Sequence, residues 1–173
     1  MRCDGRVKGN LTRIDDAVAE IHWIADHGLR AGVLLPVVPP GSHLDQLHSP
    51  RYEPVWRTCE ERGVILNVHG GSGQPDLGMH PATISLFVLE ASFYSHRPLW
   101  SLILAGVFDR YPNLKLVIAE SGTQWIAPTI EALDRHHEKI RTGNIGSLPL
   151  TTANCTERIL VHELLGRREL HVA

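Results

Sequence analysis

The sequence predicts an α/β fold: a parallel sheet covered by helices, with three to four βα units. Three observations predict it. Short, continuously apolar runs alternate with stretches of helical periodicity, each run is closed by Gly, Pro or a polar residue, and the cycle repeats three times within 173 residues. Such an alternation belongs either to a doubly wound sheet or to part of a (β/α)₈ barrel, and periodicity by itself does not choose between the two.

The first helix is predicted from Ile14, Val18, Ile21, Ala25 and Leu29, which recur at helical spacing, with Asp15 and Asp16 near its start and Gly28 as its stop. Ala31 to Val38 is then a short apolar run closed by Pro39-Pro40-Gly41, the pattern of a buried parallel strand. In the second cycle Tyr52, Val55, Trp56 and Cys59 share a helical face, Gly63 stops the helix, and Val64 to His69 is the next strand. The glycine-rich loop Gly70 to Pro75 leads to a helical region from about Ala82 to Arg110, expected to break near Pro98. The third cycle has the turn Tyr111-Pro112-Asn113, the strand Lys115 to Glu120, and a helix from about Gln124 carrying Ile126, Ile130, Leu133 and Ile140. After Arg141 the pattern decays. Thr142 to Asn154 is rich in Thr, Gly and Asn, and Cys155 to Ala173 reads as a weak amphipathic helix with a charged end, a tail expected to dock loosely.

Composition bounds the function. A chain that is 43% hydrophobic and 21% charged has enough apolar residues for a core. A formal charge of −2 provides no basic stripe for nucleic acid and no polybasic arm for an anionic membrane surface. No apolar run reaches the roughly 20 residues of a membrane span, and Met1 to Arg6 has no apolar signal-peptide core, so a cytoplasmic setting is expected. Cys3, Cys59 and Cys155 are odd in number and outside any C-x-x-C pattern, which predicts free thiols.

In a parallel α/β sheet the chemistry sits at the carboxyl ends of strands. That rule selects His69 and Glu120, each following an apolar strand and each followed by small residues, Gly70-Gly71 and Ser121-Gly122. A neutral imidazole is a good ligand for Zn²⁺ or a similar divalent ion, and a nearby carboxylate can ligate it or move a proton. The structural alternative is that His69 bonds loop carbonyls and Glu120 caps the next helix. Gly70 to Gly73 lacks both phosphate-loop frames, and no G-x-S-x-G elbow is present. His136 and His137 read as a solvated helical end, as adjacent helical residues do not converge. The same surface reading covers His22, His27, His43, His48, His80, His162 and His171. His96-Arg97 can reach an anionic substrate or, the favoured reading, lie on the surface, and Trp23, Trp56, Trp100 and Trp125 read as packing residues.

Three segments together resemble the amidohydrolase-related family of metal-dependent (β/α)₈-barrel hydrolases and decarboxylases. They are Gly28 to Pro36; Tyr52-Glu53-Pro54-Val55-Trp56 through Leu66-Asn67-Val68-His69-Gly70-Gly71; and Gly106 to Lys115 through Glu120-Ser121-Gly122. The resemblance extends from about Val7 to about Lys139 and implies a partial barrel. It implies that His69, ending the family's fifth strand, binds the divalent metal, with Zn²⁺ as the expected ion. At the sixth strand, where the family often carries a histidine that handles proton transfer, Ala119-Glu120-Ser121-Gly122 stands instead, so the catalytic role falls to Glu120. The family's first-strand His-x-His pair and eighth-strand Asp have no counterpart here, and the chain reads as a central piece of the barrel.

The expected organisation is therefore a partial barrel domain over residues 1–146 and a divergent tail over 147–173. The expected activity is hydrolysis or decarboxylation of a small carboxylated or cyclic substrate. The alternative is a catalytically inert chain, truncated or acting as a structural partner that completes its sheet with another chain. Open sheet edges predict self-association.

Overall fold

Helix α1 (Ile14–Asp26) buries Ala17, Ile21 and Ile24 along one face. This computed structural model describes residues 13–29, 32–36, 38, 43–70, 73–143 and 171–172. The helix ends in a left-handed turn at Gly28, φ 65°. There the amides of Gly28 and Leu29 donate to the carbonyls of Ala25 and Ile24, satisfying groups that the helix end leaves free. Leu29 lies past that stop and is exposed. Trp23, expected to pack, is instead half-exposed on the outer face, its ring stacked on His27 at 4.2 Å. It falls outside the arc that faces the core.

Strand β1 (Val33–Leu34) is shorter than the apolar run that predicts it, although Leu35 N–H still donates to Asn67 O at 2.8 Å. Ala31 and Val37 lie outside the described residues. Ser49 caps a 3₁₀ turn at Pro50–Tyr52, and helix α2 (Glu53–Arg62) follows, opened by Pro54 and closed by Gly63 in the left-handed region. Val64 N–H reaches back to Cys59 O and Gly63 N–H to Glu60 O, a Schellman closure that turns the chain directly into strand β2 (Leu66–His69). Helix α3 (Thr83–Leu104) runs unbroken through Pro98, contrary to the expected break there. Proline removes one helical hydrogen bond, but Pro98 is buried beside Leu99 and Leu102, and this packing offsets the loss. The break falls at Ala105 and Gly106, whose φ of 64° starts the short helix α4 (Val107–Arg110). Strand β3 (Leu116–Ala119) and helix α5 (Ile126–Arg141) complete the third unit.

The four strands are all parallel in the order β1-β2-β3-β4, where β4 is His171–Val172, paired with Val117 and Ile118. This order resolves the choice that periodicity left open. Right-handed crossovers between strands whose order never reverses put every helix on the same side of the sheet, the winding of a barrel rather than of a doubly wound sheet. Leu66, Val68, Leu116 and Ile118 are buried on the helix side with Trp56, Tyr52, Ile21, Leu99 and Leu102. On the other side Asn67, Val117 and Ala119 are only half-buried, as in a barrel wall seen from within. The tail boundary near residue 147 and the helix expected after Cys155 lie outside the described residues, apart from 171–172.

Cys59 is a buried free thiol whose pKa burial pushes up to about 12. Cys3 and Cys155 lie outside the described residues. A thiolate is the reactive species, so Cys59 is expected to resist a thiol reagent in the native chain and react on unfolding. Peptide mass mapping after brief labelling checks this, and rapid native modification of Cys59 contradicts the burial.

Candidate functional site

Strands β2 and β3 are in register with His69 opposite Ala119, so His69 and Glu120 emerge side by side at the carboxyl end of the sheet. Strand alternation puts His69 on the side of Asn67, away from the helices. Continued alternation would send Glu120 to the opposite side, with Leu116 and Ile118. The backbone of Glu120 prevents that: its φ is 57°, and no other non-glycine residue among those described has a positive φ. The left-handed turn brings Glu120 Oε2 to 3.5 Å from His69 Nε2. Such a conformation costs a side-chain-bearing residue about 1 kcal/mol.

The neighbouring glycine permits the approach. A Cβ on Gly70 would stand 3.1 Å from Glu120 O and 3.4 Å from Glu120 Cβ, and Gly70 N–H donates to Ala119 O at 3.1 Å. The two strand ends therefore pack backbone to backbone. His69 Nδ1 is 2.9 Å from Gly70 O, and because a carbonyl only accepts, Nδ1 carries the proton. In the neutral ring Nε2 then presents its lone pair toward the side where Glu120 lies. Two electron-rich atoms 3.5 Å apart are held favourably by a proton or a cation shared between them. Both side chains are open to a ligand, 51% exposed for His69 and 73% for Glu120.

These residues fit two positions of a divalent-metal site. Imidazole nitrogen and carboxylate oxygen are suitable donors, and the Nδ1–H bond to a carbonyl fixes the tautomer that leaves Nε2 free. No group of three or more His, Cys, Asp or Glu side chains converges among the described residues. A cation held by this pair would take its remaining ligands from outside it.

Other candidates are placed differently. His22, His27, His43, His48, His80 and His136 are exposed, as expected. His96 departs from its surface reading: it is only 5% exposed and stacked on Trp125 at 3.5 Å with an interplanar angle of 19°. Its Nε2 has no hydrogen-bond partner, and burial lowers its pKa to about 4. Trp125 Nε1–H donates to Gly122 O, so this stack braces the loop that follows Glu120. Sequence reading missed that brace, since nothing in the spacing links residues 96 and 125. It also passed over Asn67, the polar interruption of an apolar strand, two residues below His69 on the same side. Arg97, Trp100 and Leu104 line a groove of about 770 Å³ with His48, Glu53 and Arg110, which no site residue lines.

The amidohydrolase family profile matches residues 2–143. Among solved structures, an amidohydrolase from Mycobacterium avium subsp. paratuberculosis K-10 is 29% identical with a TM-score of 0.58, over 78% of this chain and 35% of that one. The 5-carboxyvanillate decarboxylase of Sphingomonas paucimobilis is 26% identical with a TM-score of 0.51, over 76% of this chain and 39% of that one. A 5-carboxyvanillate decarboxylase from Novosphingobium aromaticivorans DSM 12444, complexed with manganese, has the same fold at 22% identity and a TM-score of 0.52, over 75% of this chain and 36% of that one. The comparison with curated proteins found no match. The chain thus spans less than half the length of these structures, and the match over residues 2–143, with the barrel winding of its sheet, makes it a member of the amidohydrolase family.

Proposed function

We propose that the chain carries part of the active site of a metal-dependent hydrolase or carboxy-lyase acting on a small carboxylated or cyclic substrate. His69 holds a divalent cation, Zn²⁺ by preference, through Nε2, and Glu120 moves the proton. The carrying observation is the His69–Glu120 pair, with Nδ1–H fixed on Gly70 O and Nε2 facing a carboxylate that a left-handed backbone brings there. When bound, the cation stabilises negative charge developing on the substrate. Glu120 then takes a proton from water in hydrolysis, or delivers one to carbon in decarboxylation. The decarboxylases among the similar structures support the substrate class. Among the described residues no helix is long and apolar enough to cross a membrane. A cytoplasmic setting, a small-molecule rather than nucleic-acid partner, and a boundary near residue 147 complete the reading.

Calorimetric titration with Zn²⁺ and Mn²⁺ tests it. The chain is expected to bind weakly, with two of the usual four ligands among the described residues, and His69→Ala to weaken binding about tenfold or more. Glu120→Gly is expected to act in opposite directions, raising stability by up to about 1 kcal/mol through relief of the left-handed strain while lowering metal affinity. Equal affinity in wild type and His69→Ala removes the assignment.

A second reading is favoured by the absence of a third converging ligand among the described residues: an inert chain that completes its sheet, and its site, with another polypeptide. Tight, chelator-resistant metal in a pure monomer excludes it.

A further inference from the structure

Glu120 faces His69 only through a left-handed backbone, a conformation that a residue with a side chain keeps where its surroundings impose it. Its own side chain imposes nothing, since the carboxylate is exposed. On the strand side the turn is anchored by Gly70 N–H on Ala119 O, which fixes the residue before Glu120. The loop that follows holds the other side. Gly122 is again left-handed, φ 60°, and its carbonyl accepts the Trp125 indole N–H at 2.9 Å, so the loop is closed on itself just before α5 begins. Trp125 is only half-buried, and its place depends on what lies against its ring.

What lies there is His96, flat on the indole at 3.5 Å and edge-on to Trp100 at 6.2 Å. Unlike the loop, His96 belongs to a fixed frame: α3 packs on β2 and β3, with Ser95, Leu99 and Leu102 buried around it. A position this deep ordinarily takes an apolar residue, because a buried ring nitrogen without a partner is costly, and His96 Nε2 has none among the described residues.

We propose that His96 is a positioning residue for Glu120. From the frame of α3 it holds Trp125, Trp125 holds Gly122, and the closed loop keeps Glu120 in the left-handed turn that sets its carboxylate against His69. The flat face offered to the indole is what the position gains from a histidine. The functional consequence rests on the reading of Glu120 as the group that moves the proton; the mechanical link does not, and it is testable without metal.

A double-mutant cycle in urea on the full chain tests that link. A brace that keeps the turn strained makes Glu120→Gly stabilising only while the brace is present. Glu120→Gly is expected to raise the folding constant about threefold to fivefold in the wild-type background, and by less than about twofold beside His96→Leu, which keeps the core filled and removes the flat ring. Trp125→Phe, which keeps a ring and deletes the N–H, is the second background, and it decides the question where His96→Leu fails to melt cooperatively. A histidine that only packs leaves the gain from Glu120→Gly equal in all backgrounds, and that result overturns the proposal. So does the absence of any gain in the wild-type background, because the turn is then not held under strain. Mn²⁺ titration carries the link to the site: His96→Leu is expected to lower affinity about threefold beside Glu120 and not measurably beside Glu120→Gln. An equal loss in both overturns the positioning role. Should His69→Ala leave Mn²⁺ binding unchanged, the functional reading falls and the urea cycle by itself decides the role of His96.

Discussion

Gly32→Ala is expected to cost about 3 to 5 kcal/mol, a large part of the stability of a domain of this size. Gly32 has φ of 74°, and a Cβ there would lie 2.1 Å from Ile65 O and 2.8 Å from Ile65 C. Both are backbone atoms of the residue leading into β2, and the same Ile65 O accepts the first ladder bond, from Val33 N–H at 2.8 Å. The Asn67 amide, 2.9 Å away, can swing aside, but the two backbone atoms cannot, so the substitution must displace β1 from β2. Gly63→Ala is the control. Its φ of 64° carries the same left-handed penalty, but a Cβ meets nothing within 4 Å, so it should cost only about 1 kcal/mol. Urea melts of the two variants separate conformational strain from collision. Equal losses would mean that the close approach at Gly32 relaxes freely, and that the β1–β2 register is not fixed by it.

Acid is expected to destabilise the chain through His96. Burial lowers its pKa from the ordinary 6.5 to about 4, so between these values the unfolded chain binds a proton that the folded chain does not. Stability from this residue is complete above the unfolded pKa of 6.5, falls as the pH drops through that window, and is gone below about 4. The loss amounts to about 3 kcal/mol. The imidazole has no hydrogen-bond partner at Nε2 to hold a second proton, and its face is covered by Trp125. Urea melts at neutral pH and near pH 4 are expected to show a smaller acid loss in His96→Gln, by about that amount. A slope unchanged by His96→Gln would show that the ring protonates in place. The brace on the Gly122–Trp125 loop makes the consequence local as well as global, because that loop follows directly from Glu120.

Much of this protein was legible without coordinates, and for identifiable reasons. Strands buried beneath helices read as apolar runs, helices that bury one stripe show their 3.6-residue period, and the stops at Gly28 and Gly63 follow from the left-handed geometry that glycine adopts freely. That His69 and Glu120 close strands was legible too, since each is a polar residue at the end of an apolar run. Pro98 and Trp23 were misread because each depends on which side of a helix meets the core, a tertiary quantity. His96 is the clearest case: one histidine among eleven in the sequence, with nothing local to mark it, is enclosed by a tryptophan 29 positions away.

By itself, then, the sequence determined the α/β class, the order of its elements and the strand ends where chemistry is possible, because period and punctuation are local properties of a chain. Only the tertiary structure decided that the strands wind in one direction as a barrel wall, that Glu120 turns against the strand alternation to face His69, and that His96 lies buried against Trp125. Each of those depends on which residues distant in the chain come to lie side by side, and spacing along the chain does not encode that.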